Sequence, residues 1–538
     1  MTKHLLKIET ILIAAGLFFG YFDQRNEVFA QSGRPNQQTQ QRAPIRFPSS
    51  NRRPSGSNAQ SSQQRTRVPS PTPLPSQRLA AQKPASLNQN APTSCLLQSA
   101  RQIGQSDIIE VVLEGSGNLL QTSSAEVMNE KIEVVAGFRY EERLERYSKQ
   151  PGGTLRSIRQ YEQAGMRRKI GNSITKPLLD SSRKNLICDF DGKKTSIYSP
   201  MGSLKNDQFL LVDELPANSL LLDQLLPNRT VKLGDEWSVS NDILAAILGL
   251  EAVQNNTMRL VLTAIIDDIA EVDIFLESGT NEKGEQLPSS IEGAYLGASV
   301  LIDLEGKYQF DLKTKRMTWF GLLFNERRSE SLVEPGLDWT ASVKIKIAPL
   351  QQPIKLTDET VSSLRKEGNS DLLKLFYNGQ NGPWQFYHSR NWRMIEDGAK
   401  TAALCLVVQG EGVAQCNILS NGKIDLQSMP SLDAYKKEIQ KGLGDRFGQF
   451  VREAEYVNDA GYNVYTVIVD GQYEDNPFRW IYYLLTDDYG NQTTLMYEIR
   501  ADMLDVFDTA GQEIIESFRM IVSMDSEDNI GIDAEINN

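Results

Sequence analysis

Long stretches of this chain alternate apolar and polar residues with a period of two, which restricts the fold more than any other feature. Between residues 295 and 327, Val300, Ile302 and Leu304 alternate with a mainly polar set. This period is typical of β-strands with one buried and one solvated face. We predict one large curved antiparallel sheet with few helices over residues 95–349. The same alternation occurs in residues 107–114, 131–139 and 184–198.

Turns and one helix interrupt this predicted sheet. Residues 305–307 and 313–315 have turn composition between alternating stretches. Ser240 is a suitable N-cap for a helix that continues to about Leu250. The region is therefore predicted to be α+β in class, with strands dominating.

The first 30 residues have the composition of an export signal. Lys3 and Lys7 precede an apolar run over residues 11–22, and Val28 and Ala30 supply small residues before a cleavage point. The run is shorter than the roughly 20 residues of a spanning helix. We predict a signal peptide at 1–30 and a periplasmic or extracellular protein without a transmembrane span. An uncleaved segment would instead anchor the protein to the membrane.

Residues 31–94 differ sharply in composition from the rest of the chain. They hold ten of the 22 prolines, nine basic residues and no acidic residue. The chain as a whole carries -12 and the first 30 residues are balanced, so residues 95–538 carry -21. We predict a disordered basic tether that is either a plain spacer or attracted to an anionic envelope polymer. Nucleic acid is not expected, because no aromatic residues interleave with the arginines.

Residues 350–538 have a different pattern of apolar residues from the region before them. Residues 357–377 read as a helical connector within a 350–380 boundary region, and residues 381–523 as a second domain. Residues 404–408 and 480–485 are apolar on both faces, which is typical of central strands in a sheet covered twice. Helical stripes at 432–443 and 514–518, the latter after a Thr509–Gln512 capping box, could cover it. We predict an α/β/α sandwich, then an acidic disordered tail at 524–538.

This C-terminal part resembles the PsbP-like superfamily of α/β/α sandwiches. The segments WQFYHSRNW, FVREAEY, YNVYTVIVDG, RWIYYLLTDDYGNQTTLMYEI and ESFRM follow that layout. The resemblance implies a binding or assembly factor without catalytic activity. The N-terminal segments LLPNRTVKLGDEWSV and LEGKYQFDLKTKRMTWFGLLFNERRSE resemble exported bacterial proteins with a β-rich body and no assigned activity.

Four cysteines leave two possibilities open. In an oxidising compartment, Cys95 with Cys188 and Cys405 with Cys416 could form two disulfides. A two-residue turn within residues 409–412 would set Cys405 opposite Cys416. The alternative is that all four are buried free thiols.

Other candidate residues indicate structure more than chemistry. His388, the one histidine outside the export segment, lies between Trp384 and Trp392, and we expect it to pack among aromatic side chains. The aspartate pairs at 267–268 and 487–488 have turn composition. Residues 442–448 lack the Lys-Ser/Thr pair of a phosphate-binding loop. Residues 326–328 are expected to lie on a solvated face. Residues 525–531 only partly match a calcium loop. We predict no catalytic, cofactor-binding or metal-binding residues.

The sequence is consistent with three functions. The leading hypothesis is an exported, noncatalytic binding or assembly protein of the cell envelope. A lipid or apolar-ligand carrier built on the 95–349 sheet is the first alternative. A carboxylate-based hydrolase is the second, and it requires two acidic residues facing each other in a pocket with raised pKa values.

Overall fold

The computed structural model describes residues 92–122, 127–148, 150, 152–213, 216–277, 290–364, 370–379 and 383–521. The predicted export segment, the acidic tail and nearly all of the basic tether lie outside these residues. Within them, every helix is too short or too polar to cross a membrane.

Fourteen strands of the N-terminal region form one antiparallel sheet. The sheet runs in the order β10-β12-β13-β15-β16-β17-β2-β3-β4-β6-β7, with β5 beside β4, β14 beside β15 and β11 beside β14. The predicted large antiparallel sheet is therefore confirmed. The strands of this region are β1 (Ser94–Leu97), β2 (Ser106–Thr122), β3 (Val127–Arg146), β4 (Leu155–Ile170), β5 (Ser173–Thr175), β6 (Asn185–Phe190), β7 (Thr195–Tyr198), β8 (Leu204–Lys205), β9 (Arg229–Lys232), β10 (Glu236–Trp237), β11 (Ala252–Asn255), β12 (Met258–Ile266), β13 (Ile269–Leu276), β14 (Ile291–Tyr295), β15 (Ala298–Asp311), β16 (Arg316–Arg328) and β17 (Gly336–Pro349).

One face of this sheet, called the inner face, packs against short helices. The 3₁₀ helix Ser219–Leu225 contacts both β10 and β3, because Trp237 Nε1 donates to the Leu225 carbonyl at 2.9 Å and the Tyr140 hydroxyl lies 2.9 Å from Ser219 Oγ. A single apolar core joins the inner face to these helices. The other helices of the region are α1 (Asn206–Asp213), α2 (Asn241–Leu248) and the 3₁₀ helix Ser181–Arg183.

Local predictions in this region are mostly confirmed. Helix α2 begins after Ser240, whose hydroxyl accepts the Ile243 N–H, and ends at Gly249 with φ 72°. The turn at 313–315 joins β15 to β16. The predicted turn at 305–307 is wrong, since β15 continues through it. A Cβ at Gly306 would lie 2.6 Å from the Gly321 carbonyl oxygen, so this glycine permits a close approach of two strands.

The predicted helical connector is partly wrong. Helix α3 (Asp358–Leu364) and the 3₁₀ helix Ser370–Leu373 lie in it, but its last residues form strand β18 (Leu375–Asn378). Leu375 and Tyr377 are buried while their neighbours are less so, which is a strand period. Pairing on both sides, antiparallel to β19 (Trp384–His388) and parallel to β8, overrides the local helical tendency.

A second, seven-stranded antiparallel sheet follows, covered on both faces. It runs in the order β20-β21-β22-β26-β25-β24-β23. Trp480, Tyr482 and Leu484 face one core with helix α4, and Leu485 faces another with helix α6, as the alternating pattern predicts. The remaining elements are β20 (Trp392–Asp397), β21 (Thr401–Val408), β22 (Glu411–Lys423), the 3₁₀ helices Leu426–Ser428, Gly444–Arg446 and Ala501–Met503, α4 (Leu432–Leu443), β23 (Phe447–Val457), β24 (Asn463–Tyr473), β25 (Asn476–Thr486), β26 (Asn491–Arg500), α5 (Leu504–Phe507), α6 (Gln512–Ser517) and β27 (Arg519–Met520).

The predicted capping box at Thr509 is wrong. Gly511 precedes α6 and no side chain caps it. Thr509 instead contributes its carbonyl oxygen, which accepts the Gln512 N–H at 2.9 Å. The helix has only six residues, so its position depends on Ile514 and Phe518, which are fully buried.

Candidate functional site

Five charged side chains meet on the inner face of the large sheet and form what we call the ion cluster. Its members are each 7% exposed or less. Glu142 binds Arg101 and Arg159, each at 2.8 Å, and Asp107 binds Arg316 at 2.5 Å and Arg101 at 3.1 Å. The ion cluster consists of Arg101, Asp107, Glu142, Arg159 and Arg316.

Strand register assembles this cluster. Asp107 of β2 is paired with Glu142 of β3, and Glu142 is paired with Arg159 of β4, so the three form a row across the sheet. Sequence reasoning missed them. The available signal was that Glu142 occupies the same strand phase as the buried Tyr140 and Leu144.

Mutual neutralisation keeps the cluster ionised. Burial disfavours the charged form of Glu142, but Arg159 and Arg101 outweigh burial and lower the pKa of this carboxyl to about 2. Burial likewise disfavours charge on Arg101, and the carboxylates of Asp107 and Glu142 raise its pKa nonetheless. Each charge thus has its countercharge inside the protein.

The cluster also holds the short helix on the inner face. Ser219 Oγ donates to Glu142 at 3.0 Å, Arg159 donates to Asn218, and Ser99 Oγ donates to Asp223 at 2.8 Å. We call residues 218–226 the leucine segment, because four leucines that are at most 2% exposed fill the space between these polar contacts. They are Leu220, Leu221, Leu222 and Leu225.

Two small cavities border the cluster. One has a volume of about 30 Å³ and is lined by Tyr140, Arg159, Cys188 and Asp213 among others. The second, of about 10 Å³, lies between Arg101, Asp107, Glu142, Asp223 and Arg316. Volumes of this size correspond to one or two water molecules, far below a ligand pocket.

The four cysteines are buried and free. The predicted register of the Cys405 hairpin is wrong by one residue, because the turn lies at Gln409-Gly410, one residue earlier than predicted, and the register then shifts between Leu406 and Val407. Cys405 is paired with Gln415, and Cys416 with Leu404, so the two thiols point to opposite faces. Burial raises the pKa of both thiols to about 12. Cys95 and Cys188, the other pair considered, are likewise unbonded.

His388 lies in β19 and is 1% exposed. Its Nδ1 is 2.9 Å from the Ser389 carbonyl oxygen, and the Phe386 ring centre is 6.0 Å away. Burial lowers its pKa to about 4, so the imidazole is neutral. The expected packing among aromatic residues is what the structure shows.

The acidic pairs and the glycine-rich stretch have structural roles. Asp267 and Asp268 both have positive φ in the turn between β12 and β13, and Asp487 accepts two backbone N–H groups in the β25–β26 turn. Gly444 ends helix α4. The expected solvated face at residues 326–328 is partly wrong, because Glu326 is buried and binds Arg328 at 2.6 Å.

Two carboxyls have raised pKa values in separate places. Burial raises the pKa of Glu498 to about 8, against the effect of Arg446, and Asn417 Nδ2 is 3.4 Å from it. Burial also raises the pKa of Asp213, next to Arg390. Within the described ranges, no three His, Cys, Asp or Glu side chains are arranged to hold a metal ion.

The junction between the two sheets is held by side chains from both. Arg390 donates to the carbonyls of Leu373 and Ile197, each at 2.7 Å, and lies over the Phe209 ring. Glu141, on the outer face of β3, accepts the N–H groups of residues 354–356. These contacts and the β8–β18 pairing join the two parts directly, while their division into separate domains stays a prediction.

We expect Glu141→Gln to weaken this junction by about 1–3 kcal/mol, because an amide nitrogen would face backbone donors. Cleavage of residues 350–357 by a nonspecific protease should become faster, and the urea midpoint should fall. Glu114→Gln, an exposed position on β2, is the matched control and should change neither. Equal proteolysis of both variants would show that the Glu141 contacts do not hold the linker.

Comparisons with known proteins are limited to weak structural likeness. No protein-family model and no curated sequence matches the chain. Over 29% of its length it is similar to cyanobacterial PsbP (CyanoP) from Synechocystis sp. PCC 6803, covering 99% of that chain at 14% identity and a TM-score of 0.23. Over 28% it is similar to the Saccharomyces cerevisiae Ran-binding protein Mog1p, covering 95% of that chain at 7% identity and a TM-score of 0.23.

A third likeness is also weak. Over 47% of its length the chain is similar to lipovitellin, at 10% identity and a TM-score of 0.27, and it spans 26% of that protein. Scores this low carry no argument about activity or ligand.

Proposed function

We propose that this chain is an exported, noncatalytic binding or assembly protein that acts at the cell envelope. The observation that carries the proposal is the filled inner face of the large sheet, where the leucine segment occupies the space that an apolar ligand would need. Each charged group of the ion cluster contacts at least one opposite charge within the cluster. Recognition is then left to the outer surfaces and loops.

The C-terminal part supports the same proposal through its architecture. Its antiparallel sheet has helix α4 on one face and α6 on the other, which agrees with the PsbP-like layout suggested by the sequence. We propose that this part is a PsbP-like sandwich serving as a partner-binding module. The export segment and the basic tether, with its attraction to anionic envelope polymer, remain parts of the proposal that rest on sequence.

Native mass spectrometry distinguishes this function from the carrier alternative. The mature protein, purified without detergent, is expected to show the mass of the polypeptide alone, because the cavities found among the described residues of the inner face, of about 30 and 10 Å³, are too small for an acyl chain. Stoichiometric co-purified lipid would contradict the proposal and favour a carrier.

A pull-down with the mature chain from an envelope extract should retain a protein or anionic polymer. Replacing the nine basic tether residues with glutamine is the control for polymer binding.

A further inference from the structure

Three loops meet at one end of the seven-stranded sheet, and we call them the end loops. They are residues 423–431, 457–463 and 486–491. The Ile424 N–H donates to the Gly490 carbonyl at 2.8 Å, and Asn463 Nδ2 lies 3.8 Å from Met429 Sδ. Asn463 is also paired with Thr486. The loops therefore form one continuous surface.

Each end loop presents a large apolar side chain to solvent. Val457 is 70% exposed, Tyr489 is 68% exposed and Leu426 is 49% exposed. Two of these are among the most exposed large apolar side chains of the described chain. Isolated exposed apolar residues are common, but three on adjoining loops form a patch typical of interaction sites.

The end loops are held rigidly from within. Asp487 accepts the N–H groups of Tyr489 and Asn491, and Asn458 accepts those of Ala460 and Tyr462. Asp425 accepts the Gln427 N–H in the first loop. A surface that is already ordered loses little entropy when it binds, which favours affinity.

Charge restricts the kind of partner. Three exposed carboxyl side chains, Asp425, Asp459 and Asp488, lie in the same three loops as the apolar side chains, and Lys423 is the one basic residue in these loops. An anionic lipid surface or a second copy of the same patch would be repelled. A segment with basic and apolar side chains would be attracted.

We infer that the end loops bind a segment of a partner protein that carries both basic and apolar side chains. Leu426, Val457 and Tyr489 supply the apolar contact, and the three aspartates of these loops orient the basic residues. This inference rests on the proposed binding function and locates one of its contact surfaces.

A labelled peptide of alternating lysine and leucine serves as the probe, and fluorescence anisotropy with the full mature chain measures its dissociation constant. The triple variant Leu426→Ser, Val457→Ser, Tyr489→Ser should bind it about tenfold more weakly. The matched control is Val135→Ser, Ile174→Ser, Leu323→Ser, which alters three similarly exposed apolar residues of the large sheet and should change binding less than about twofold.

Separate experiments test the role of the aspartates and the class of the binding partner. Asp425→Asn, Asp459→Asn, Asp488→Asn should also weaken binding several-fold, and the loss should shrink at high salt. Equal binding of a glutamate–leucine peptide would overturn the inference, as would equal affinity of the triple variant and the wild type. Binding of phosphatidylglycerol vesicles, or dimers that the triple variant abolishes, would overturn it in favour of a lipid or a second copy.

The pull-down separates this inference from the proposed function. If the wild type and the triple variant recover the same partner equally, the binding function stands and the end-loop assignment fails. If neither chain recovers any partner, the proposed function fails as well. A partner retained by the wild type and lost by the triple variant supports both.

Discussion

Replacing Glu142 with alanine is expected to lower the free energy of unfolding by about 3–5 kcal/mol. The substitution removes the carboxylate shared by Arg101 and Arg159. Arg101 keeps its contact with Asp107, but Arg159 stays buried without the carboxylate that it binds. Uncompensated buried charge is among the most destabilising changes in a protein core. Urea unfolding followed by tryptophan fluorescence measures the loss.

Two further variants sharpen this test. Glu133→Ala removes a half-exposed glutamate of the same strand, 3.5 Å from Lys169, and should cost less than about 1 kcal/mol. Replacing Arg101, Glu142 and Arg159 together with methionine or leucine should recover much of the stability, because Asp107 keeps Arg316 as its partner and Asp223 keeps its hydrogen bonds from Ser99 and Tyr147. Similar losses for Glu142→Ala and Glu133→Ala would contradict our view of the cluster.

The lowered pKa of Glu142 predicts that the stability of the protein depends on pH. The pKa of Glu142 falls from 4.5 to about 2 on folding, as Arg159 and Arg101 outweigh the effect of burial. A lowered native pKa contributes stability above the unfolded pKa and loses that stability as the pH falls through the native value. We therefore expect wild-type stability to decline between about pH 4.5 and pH 2. In Glu142→Gln, this part of the decline should be absent.

Strand periodicity predicted the large sheet because half-buried strands leave a period of two in any sequence. The same period indicates which charges are buried, since Glu142 is in phase with Tyr140 and Leu144. What periodicity cannot supply is the partner of each charge. Arg101 and Glu142 come together through register and a loop, which are set by packing of the whole sheet.

The predictions from sequence are wrong where contacts between distant residues override local sequence preferences. The sequence predicts helix over strand β18, because the pairing of this strand with β8 involves a segment 171 residues earlier. The sequence predicts Cys405 opposite Cys416 because neither the position of the turn, at Gln409-Gly410, nor the shift in register after it has a reliable sequence mark. The sequence correctly predicts a turn in the end loop at 487–491. The meeting of the three end loops on one surface depends on the folded sheet.

Leu221→Ala is expected to lower the free energy of unfolding by about 2–5 kcal/mol. The side chain is fully buried in the leucine segment, between the inner face and helix α2. Its removal loses transfer free energy and leaves a cavity, since hydrogen bonds at Asn218, Ser219 and Asp223 hold both sides of the segment and limit collapse. Leu323→Ala, at a position 44% exposed on β16, is the control and should cost about 0.5 kcal/mol or less.

The cavity in Leu221→Ala also tests whether the inner face is solid in the wild type. A dry cavity lined by leucine binds a small apolar molecule such as benzene, whereas a filled core does not. Benzene should therefore raise the melting temperature of Leu221→Ala and leave that of the wild type unchanged. If benzene stabilised the wild type equally, the leucine segment would have to leave the inner face readily. That result would favour the carrier, because the same displacement would open the sheet to an acyl chain.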